Sequence, residues 1–409
     1  MIRENFTDDF GNELRALQIQ GLHRRLRVVG GATGATVMLD SVGEVILLGS
    51  NNYLGLATHP RLIAAAQEAA ARYGTGTGAS RLISGTLDLH EQLEQRLAAF
   101  EGRERALVFG SGYQANTGVL PALAADGDLI FSDALNHASL IDGCRLSRAR
   151  VVVYPHLDVE ALEVLIKQIL PHQGRRLIVT ESLFSMDGDI APLDDLVVIA
   201  ERYGCLLVVD EAHAIGVFGP EGRGLIAERG LIGRVHLQIG TLSKALGSFG
   251  GFVTGSASLI DWIVNRARSF IFSTAPPPPV LGAALAALDL VEEDDTLRQR
   301  LWKNVALLRD GLEALGVALP PTPSPIIPVI VGEAQAAVDC SEALLKRRVW
   351  VQAVRPPTVP EGTSRLRASV SASHTHEQIE QALNAFAALV AEGLLQSSIA
   401  QQTPINEEF

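Results

Sequence analysis

The sequence predicts an α/β protein: a large domain on a mostly parallel central sheet, followed by a smaller α+β C-terminal domain. Three observations predict it. Between Asn51 and about Thr274, short continuous apolar runs alternate with stretches of helical pattern, as expected of strands covered on both faces by crossover helices. The prolines from Pro276 to Pro279 then punctuate the chain, because proline neither continues a helix nor joins a central strand. Beyond them a long helical stretch gives way to strands and helices in mixed order, the mark of a second, α+β layer.

The elements follow in chain order. The stretch up to about Arg27 reads as helical and polar-faced. Val37 to Leu48 reads as a hairpin turning at Asp40-Ser41-Val42-Gly43. Ala106 to Phe109, Leu177 to Thr180, Leu206 to Val209 and Val235 to Ile239 are expected strands, with Ala161 to Leu170 as one of the helices between them. The stretch after the prolines should stay helical to about Leu315. Pro325 to Val331 and Arg365 to Ser371 then read as strands, and Ala334 to Arg347 and Glu377 to Leu394 as helices. The polar tail from Gln396 to Phe409 should fray. The expected division is an N-terminal segment, 1–50, packing with the small domain; a large domain, 51–290; a C-terminal domain, 291–395; and a tail, 396–409.

Composition narrows the function. The 409 residues are 47% hydrophobic and 20% charged, enough for a sizeable core. A net charge of -12 leaves no basic excess to neutralise phosphates, which argues against nucleic acid while allowing a small anion held locally. Cys144, Cys205 and Cys340 are far apart and show no metal-ligand spacing, so neither a disulfide framework nor structural zinc is expected. Asp187-Gly188-Asp189 matches a fragment of a calcium loop and lacks the rest, so no metal is expected there. The first ten residues are acidic with no apolar signal core. The apolar stretch from Val280 to Leu288 ends at Asp289, too short to span a bilayer. A cytoplasmic protein is expected.

The chemistry centres on Lys244. It is the only charge between Ile239 and Gly251 and is crowded by small residues. Such a setting disfavours the ammonium form and suits an amine that condenses with an aldehyde. Asp210 ends the apolar run from Leu206, at the carboxyl end of a strand, where functional groups of parallel sheets gather. His213 follows it by three residues. Together these segments suggest a pyridoxal phosphate site, with Lys244 bound to the aldehyde and Asp210 facing the pyridine nitrogen. Alone, Asp210 and His213 could equally be a helix cap and a surface histidine.

Phe109-Gly110-Ser111-Gly112-Tyr113 follows a strand and opens a helix, so Gly112 and Tyr113 could bind the cofactor's phosphate. The same run fits the degenerate dinucleotide fingerprint from Gly110 to Ala115, a rival that leaves Lys244, Asp210 and His213 unexplained. Ser185, after another apolar strand, is a candidate hydrogen-bond partner for cofactor or substrate. His137 could stack on the cofactor ring or simply cap the next helix. The glycine-rich run from Tyr73 to Ser80 follows a helix and reads as a flexible, close-approach segment. In the expected strand Arg365–Ser371, alternation puts Arg365, Arg367, Ser369 and Ser371 on one face. A guanidinium there suits a carboxylate, while Arg365 reads as part of a solvated face.

Taken together, these segments resemble the α-oxoamine synthases, fold-type I pyridoxal-phosphate enzymes that join an amino acid to an acyl thioester and release carbon dioxide. The resemblance covers roughly residues 15 to 395. Ser50 to Leu56, Glu181 to Leu193 and above all Val354-Arg-Pro-Pro-Thr-Val-Pro-Glu-Gly-Thr363 are similar to the branch that serves biotin biosynthesis. That branch implies L-alanine and a pimeloyl thioester, carried on coenzyme A or a carrier protein, and a homodimer with shared active sites.

The resemblance also implies roles. Lys244 holds the cofactor and moves protons, Asp210 pairs with the ring nitrogen, and His213 lies near the phenolic oxygen. His137 stacks on the ring and shapes the substrate pocket. Gly112, Tyr113 and Thr241 hold the phosphate end, beside Ser185, and Thr274 reaches the partner subunit's phosphate. Arg367 grips the amino acid's carboxylate, Thr358 lies by the substrate, and Arg24 is the N-terminal substrate arginine. His23 stands where some relatives carry that arginine, and Gly76 to Arg81 lacks the paired glycines of several others. Three rivals stay open: a synthase for glycine or serine and another acyl-CoA, a nicotinamide-dependent dehydrogenase, and a non-catalytic protein of the same fold.

Overall fold

Seven runs rich in apolar residues pair into one sheet. Across it the strands are Arg105–Phe109, Gly251–Gly255, Leu237–Thr241, Leu206–Asp210, Arg176–Glu181, Leu129–Asp133 and Arg150–Tyr154. The structure is a computed structural model that describes residues 6–40 and 42–396. The chain folds into two units. The larger spans Asn51–Ser185 and Asp189–Gln299, and the smaller gathers the described residues up to Ser50, Met186–Gly188 and those from Arg300 onward.

In the larger unit, every neighbouring pair from Leu237–Thr241 to Arg150–Tyr154 is parallel. Gly251–Gly255 alone runs against both of its neighbours. Apolar side chains from both layers meet in a core that includes Phe109, Val119, Leu140, Val208 and Val253. The last residues of four parallel strands are Asp133, Glu181, Asp210 and Thr241. Apolar strands thus carry polar residues at one common edge, the position where open α/β sheets place their sites.

Several expectations need correcting. Leu129–Asp133, Arg150–Tyr154 and Gly251–Gly255 are strands that the pattern did not reveal. The expected strand Val235–Ile239 is shifted to Leu237–Thr241. The long helical stretch is two helices, Pro278–Glu293 and Thr296–Ala314. They part where the Asp294 carboxylate accepts the Thr296 N–H at 2.9 Å, a local cap that competes with helix continuation.

The smaller unit contains a hairpin of Thr36–Leu39 and Gly43–Leu47, extended by Val349–Trp350 in parallel. Ser41, in its turn, lies outside the described residues. A three-stranded antiparallel sheet orders Ile326–Gly332, Ser364–Ser369 and Gln352–Val354. Helices Ala334–Lys346 and His376–Ala391 complete the α+β pattern, the second opened by a capping box of Thr375 and Gln378. The N-terminal helix ends at Ile19, short of Arg27. The chain turns at Gly21, whose φ of 67° is left-handed. Arg365 is buried and ion-paired with Asp187, not spread on a solvated face. Nearly all of the tail expected to fray falls outside the described residues. Among the described residues no helix is long and apolar enough to cross a membrane, and all three cysteines are buried free thiols.

Candidate active site

Asp210 is buried at the end of its strand, and its carboxylate is held from two directions. Asn116 Nδ2 donates to Oδ2 at 2.8 Å and the Ala212 N–H donates to Oδ1 at 2.8 Å. Asn116 comes from the helix Gly112–Leu123 and also donates to Ser139 Oγ at 2.8 Å. The Asn116 Oδ1 is buried without a protein partner, so this wall retains acceptor capacity.

Glu181 ends the adjacent strand in register with Asp210. Its Oε1 accepts the His137 N–H at 2.6 Å. Burial, then the nearby Asp210 charge, pushes the Glu181 carboxyl up to about 8, with Lys244 opposing. His137 caps the helix Ala138–Leu146, its Nδ1 accepting the Ser139 N–H at 3.2 Å. Much of His137 faces solvent. Protein packed behind the ring nonetheless lowers its pKa, aided by Lys244 and opposed by Asp210. The fields of Asp210 and Lys244 therefore both reach His137 and Glu181, which places the four groups in one cluster.

Lys244 is half-buried, with Nζ 2.9 Å from His213 Nε2. On the other side of that ring, Nδ1 lies 2.7 Å from the Tyr53 hydroxyl. The loop bearing Lys244 is fastened at its base. Thr241 Oγ1 donates to the Gly250 carbonyl at 2.8 Å, and the Gly250 N–H donates to Ser243 Oγ at 3.0 Å. Beside this base begins the helix Gly112–Leu123, with Ser111 Oγ accepting the Gln114 N–H. A Cβ on Gly251 would stand 2.5 Å from the Gly112 nitrogen, and one on Gly112 would meet Thr241 at 3.8 Å. A helix N-terminus, two glycines and a threonine hydroxyl thus form a cradle suited to a phosphate. An amine, a buried carboxylate and a phosphate cradle in one unit fit the donor set that pyridoxal phosphate requires.

The other sequence candidates are placed as follows. Ser185 is buried in the segment after Glu181, where the Ser182 N–H donates to the Asp210 carbonyl at 2.9 Å. Tyr113 is largely exposed and its hydroxyl donates to Asp142. Thr274 is exposed and bridges to Ser80, at the end of the glycine-rich run. Arg367, Thr358 and Arg24 belong to the smaller unit. Arg367 is buried and donates to Ser369 Oγ at 2.9 Å. Thr358 is exposed, with its N–H donating to the Arg355 carbonyl at 3.1 Å, and Arg24 is exposed. Tyr53, Asn116 and Glu181 carry no role in the sequence reading, although Tyr53 and Glu181 lie inside motifs singled out there and Asn116 directly follows the run from Gly110 to Ala115.

Residues 43–386 match the family model for aminotransferase class I and II. A protein of Geobacter sulfurreducens named 8-amino-7-oxononanoate synthase is 53% identical over 385 residues, covering 93% of this chain and 97% of that protein. One of the same name from Citrifermentans bemidjiense is 52% identical, covering 91% and 96%. Among solved structures, serine palmitoyltransferase from S. paucimobilis with a bound PLP–myriocin aldimine has a TM-score of 0.90 and 35% identity, covering 95% of this chain and 99% of that one. The 8-amino-7-oxononanoate synthase of Francisella tularensis has a TM-score of 0.74 and 31% identity, covering 86% and 99%. Clustered polar strand ends, the half-buried lysine and full-length relatedness lead to one conclusion: the chain belongs to the aminotransferase class I and II family and, within it, to the 8-amino-7-oxononanoate synthases.

Proposed function

We propose that the protein is a pyridoxal-phosphate-dependent acyltransferase of biotin biosynthesis. It condenses L-alanine with a pimeloyl thioester to give 8-amino-7-oxononanoate, carbon dioxide and the free thiol. The observation that carries this reading is the Lys244–His213 pair beside the buried, hydrogen-bonded Asp210, in a chain about half identical to synthases of that name.

Gly112, Thr241 and Tyr113 would hold the cofactor's phosphate, Lys244 its aldehyde carbon, Asp210 its ring nitrogen, and His137, His213 and Ser185 its remaining edges. When bound, the cofactor supplies an electron sink for the bond broken at the amino acid's α-carbon. Lys244 Nζ takes the α-proton and later returns one. His213 Nε2, 2.9 Å away, orients that amine, and the Tyr53 hydroxyl at Nδ1 fixes the ring. Asp210 would present its carboxylate to the ring nitrogen, beside Glu181, whose carboxyl burial and the Asp210 charge push up to about 8. In the net reaction the α-carbon bonds to the thioester carbonyl, the thiolate leaves, and the bond to the alanine carboxylate breaks.

Arg367 grips the amino acid's carboxylate and so selects the bond that breaks. Thr358 and Arg24 contact substrate. The protein works in the cytoplasm as a homodimer in which Thr274 completes the partner's site. The deciding experiment incubates the loaded enzyme with alanine and a pimeloyl thioester and follows amino-ketone, carbon dioxide and thiol together. Stoichiometric release of all three is expected, and equal turnover with glycine or serine would redirect the assignment. Arg367→Ala should lower kcat/KM for alanine by roughly 10²-fold; unchanged affinity and turnover would remove Arg367 from the site.

A further inference from the structure

His156 lies between the strand Arg150–Tyr154 and the helix Val159–Ile169, outside the groups assigned above. Its ring sits between two carboxylates from different parts of the chain. Nδ1 is 2.8 Å from Asp133 Oδ1, and Nε2 is 2.9 Å from Asp189 Oδ2. Phe184 packs against the ring edge-on at 4.4 Å. A neutral imidazole carries one N–H and can satisfy only one of these acceptors. Two ionised acceptors at these distances require both nitrogens to be protonated.

Each aspartate is tied to a segment that leads to a site residue, Asp133 through its carboxylate and Asp189 through its backbone carbonyl. Asp133 Oδ1 also accepts the Leu135 N–H at 2.9 Å, forming the turn that runs into His137, and its Oδ2 accepts the Leu157 N–H at 3.0 Å. The Asp189 carbonyl accepts the Phe184 N–H at 3.0 Å, closing the loop that contains Ser185. We propose that His156 is a positioning residue: a cationic clamp that holds the turn before His137 and the loop bearing Ser185 in one arrangement.

This rests on the roles given to His137 and Ser185 above. The charged groups facing the ring are Asp133 and Asp189. Tyr154 adjoins Asp133, and burial keeps its phenol neutral. Burial opposes the charge on His156, but its hydrogen bonds to Asp133 and Asp189, with their fields, outweigh burial and raise the pKa to about 10. The clamp is therefore intact from below the ordinary histidine value and opens as pH rises through about 10.

The test compares wild type with Asp189→Ala, Asp189→Asn and His156→Gln. Hydrogen exchange across Ser182–Ala191 is measured in the cofactor-free protein, and kcat and KM in the loaded enzyme. Asp189→Ala and His156→Gln should each speed exchange there by about tenfold and lower kcat by about tenfold or more, with little change in the KM for alanine. Asp189→Asn lets the ring donate from Nδ1 and accept at Nε2, so both readouts should stay within about twofold of wild type. The clamp is overturned if Asp189→Ala matches wild type, or if Asp189→Asn is as damaging as Asp189→Ala. Should His156→Gln fail to fold, the Asp189 pair decides alone. Wild type that makes no product would refute the synthase reading, while exchange in the cofactor-free protein still decides the clamp.

Discussion

Asp210 and Glu211 are consecutive buried carboxylates, yet they serve different ends. Successive residues leaving a strand face opposite sides. Asp210 turns toward Asn116 and the cluster containing Lys244. Glu211 turns the other way: its Oε1 accepts the Leu225 and Ile226 N–H groups at 2.7 and 3.1 Å, and its Oε2 receives Gln238 Nε2 at 3.0 Å. The same Gln238 nitrogen donates to Glu101 Oε2 at 2.7 Å. Glu211 is pushed up to about 8 by burial, while its backbone donors pull it down. Glu101 is likewise raised well above the ordinary carboxyl value, by burial and by facing Glu211. Both carboxylates accept amide donors and stand near a second carboxyl. What differs is the company: the amine of Lys244 acts on the Asp210 cluster, whereas Glu211 fastens the loop at Leu225 and Ile226.

The largest effects should fall on the Asp210 side. Lys244→Ala should reduce product formation by about 10³-fold or more, and Asp210→Asn by roughly 10²-fold, both with melting temperatures close to wild type. Loss of fold in place of activity would erase the contrast between the two carboxylates.

On the other side, Glu211→Ala should leave the active fraction's turnover near wild type but lower stability. Each buried N–H it abandons, of Leu225 and Ile226, costs about 1–3 kcal/mol, readable by thermal melting. A large fall in turnover without destabilisation would assign Glu211 to the chemistry.

The smallest effect is a pH slope. A carboxyl whose folded pKa exceeds its unfolded value gives stability that is fully present below the unfolded value, near 4.5, and is lost as pH rises through the folded value. For Glu211 that window ends at about 8. Glu101→Gln keeps the acceptor for Gln238 and removes a buried carboxyl that must hold a proton in the folded state while it ionises in the unfolded one. It should therefore raise the melting temperature modestly at pH 8 and little at pH 5. An unchanged slope would mean that Glu101 titrates alike in the folded and unfolded states.

Sequence made the Asp210 side legible because Lys244 is a lone charge among small residues and Asp210 ends an apolar run, and burial of a charge demands a reason. Glu211 was hidden because its partners, Glu101 and Gln238, lie 110 and 27 positions away in sequence. The same holds for Arg365: alternation put it on a wet face, while its counter-ion Asp187 lies far back in the chain. Tyr53 and Asn116 act through the orientation of a ring and an amide, which residue spacing does not encode. The strand Gly251–Gly255 was missed because its glycines mask apolar periodicity, although they permit the close approach beside Gly112. The alternation of strand and helix survived these errors, since one buried sheet tolerates an undetected member.

That reversed strand has a mechanical result. The chain leaves the sheet at Thr241 and rejoins the same edge at Gly251, directly opposite, with Thr241 and Gly251 as register partners. The reactive amine is thus strung on a short arch with both feet set in the sheet. Its reach depends on bending of a four-carbon stem, and the backbone beneath it can give way only by unzipping two neighbouring strands.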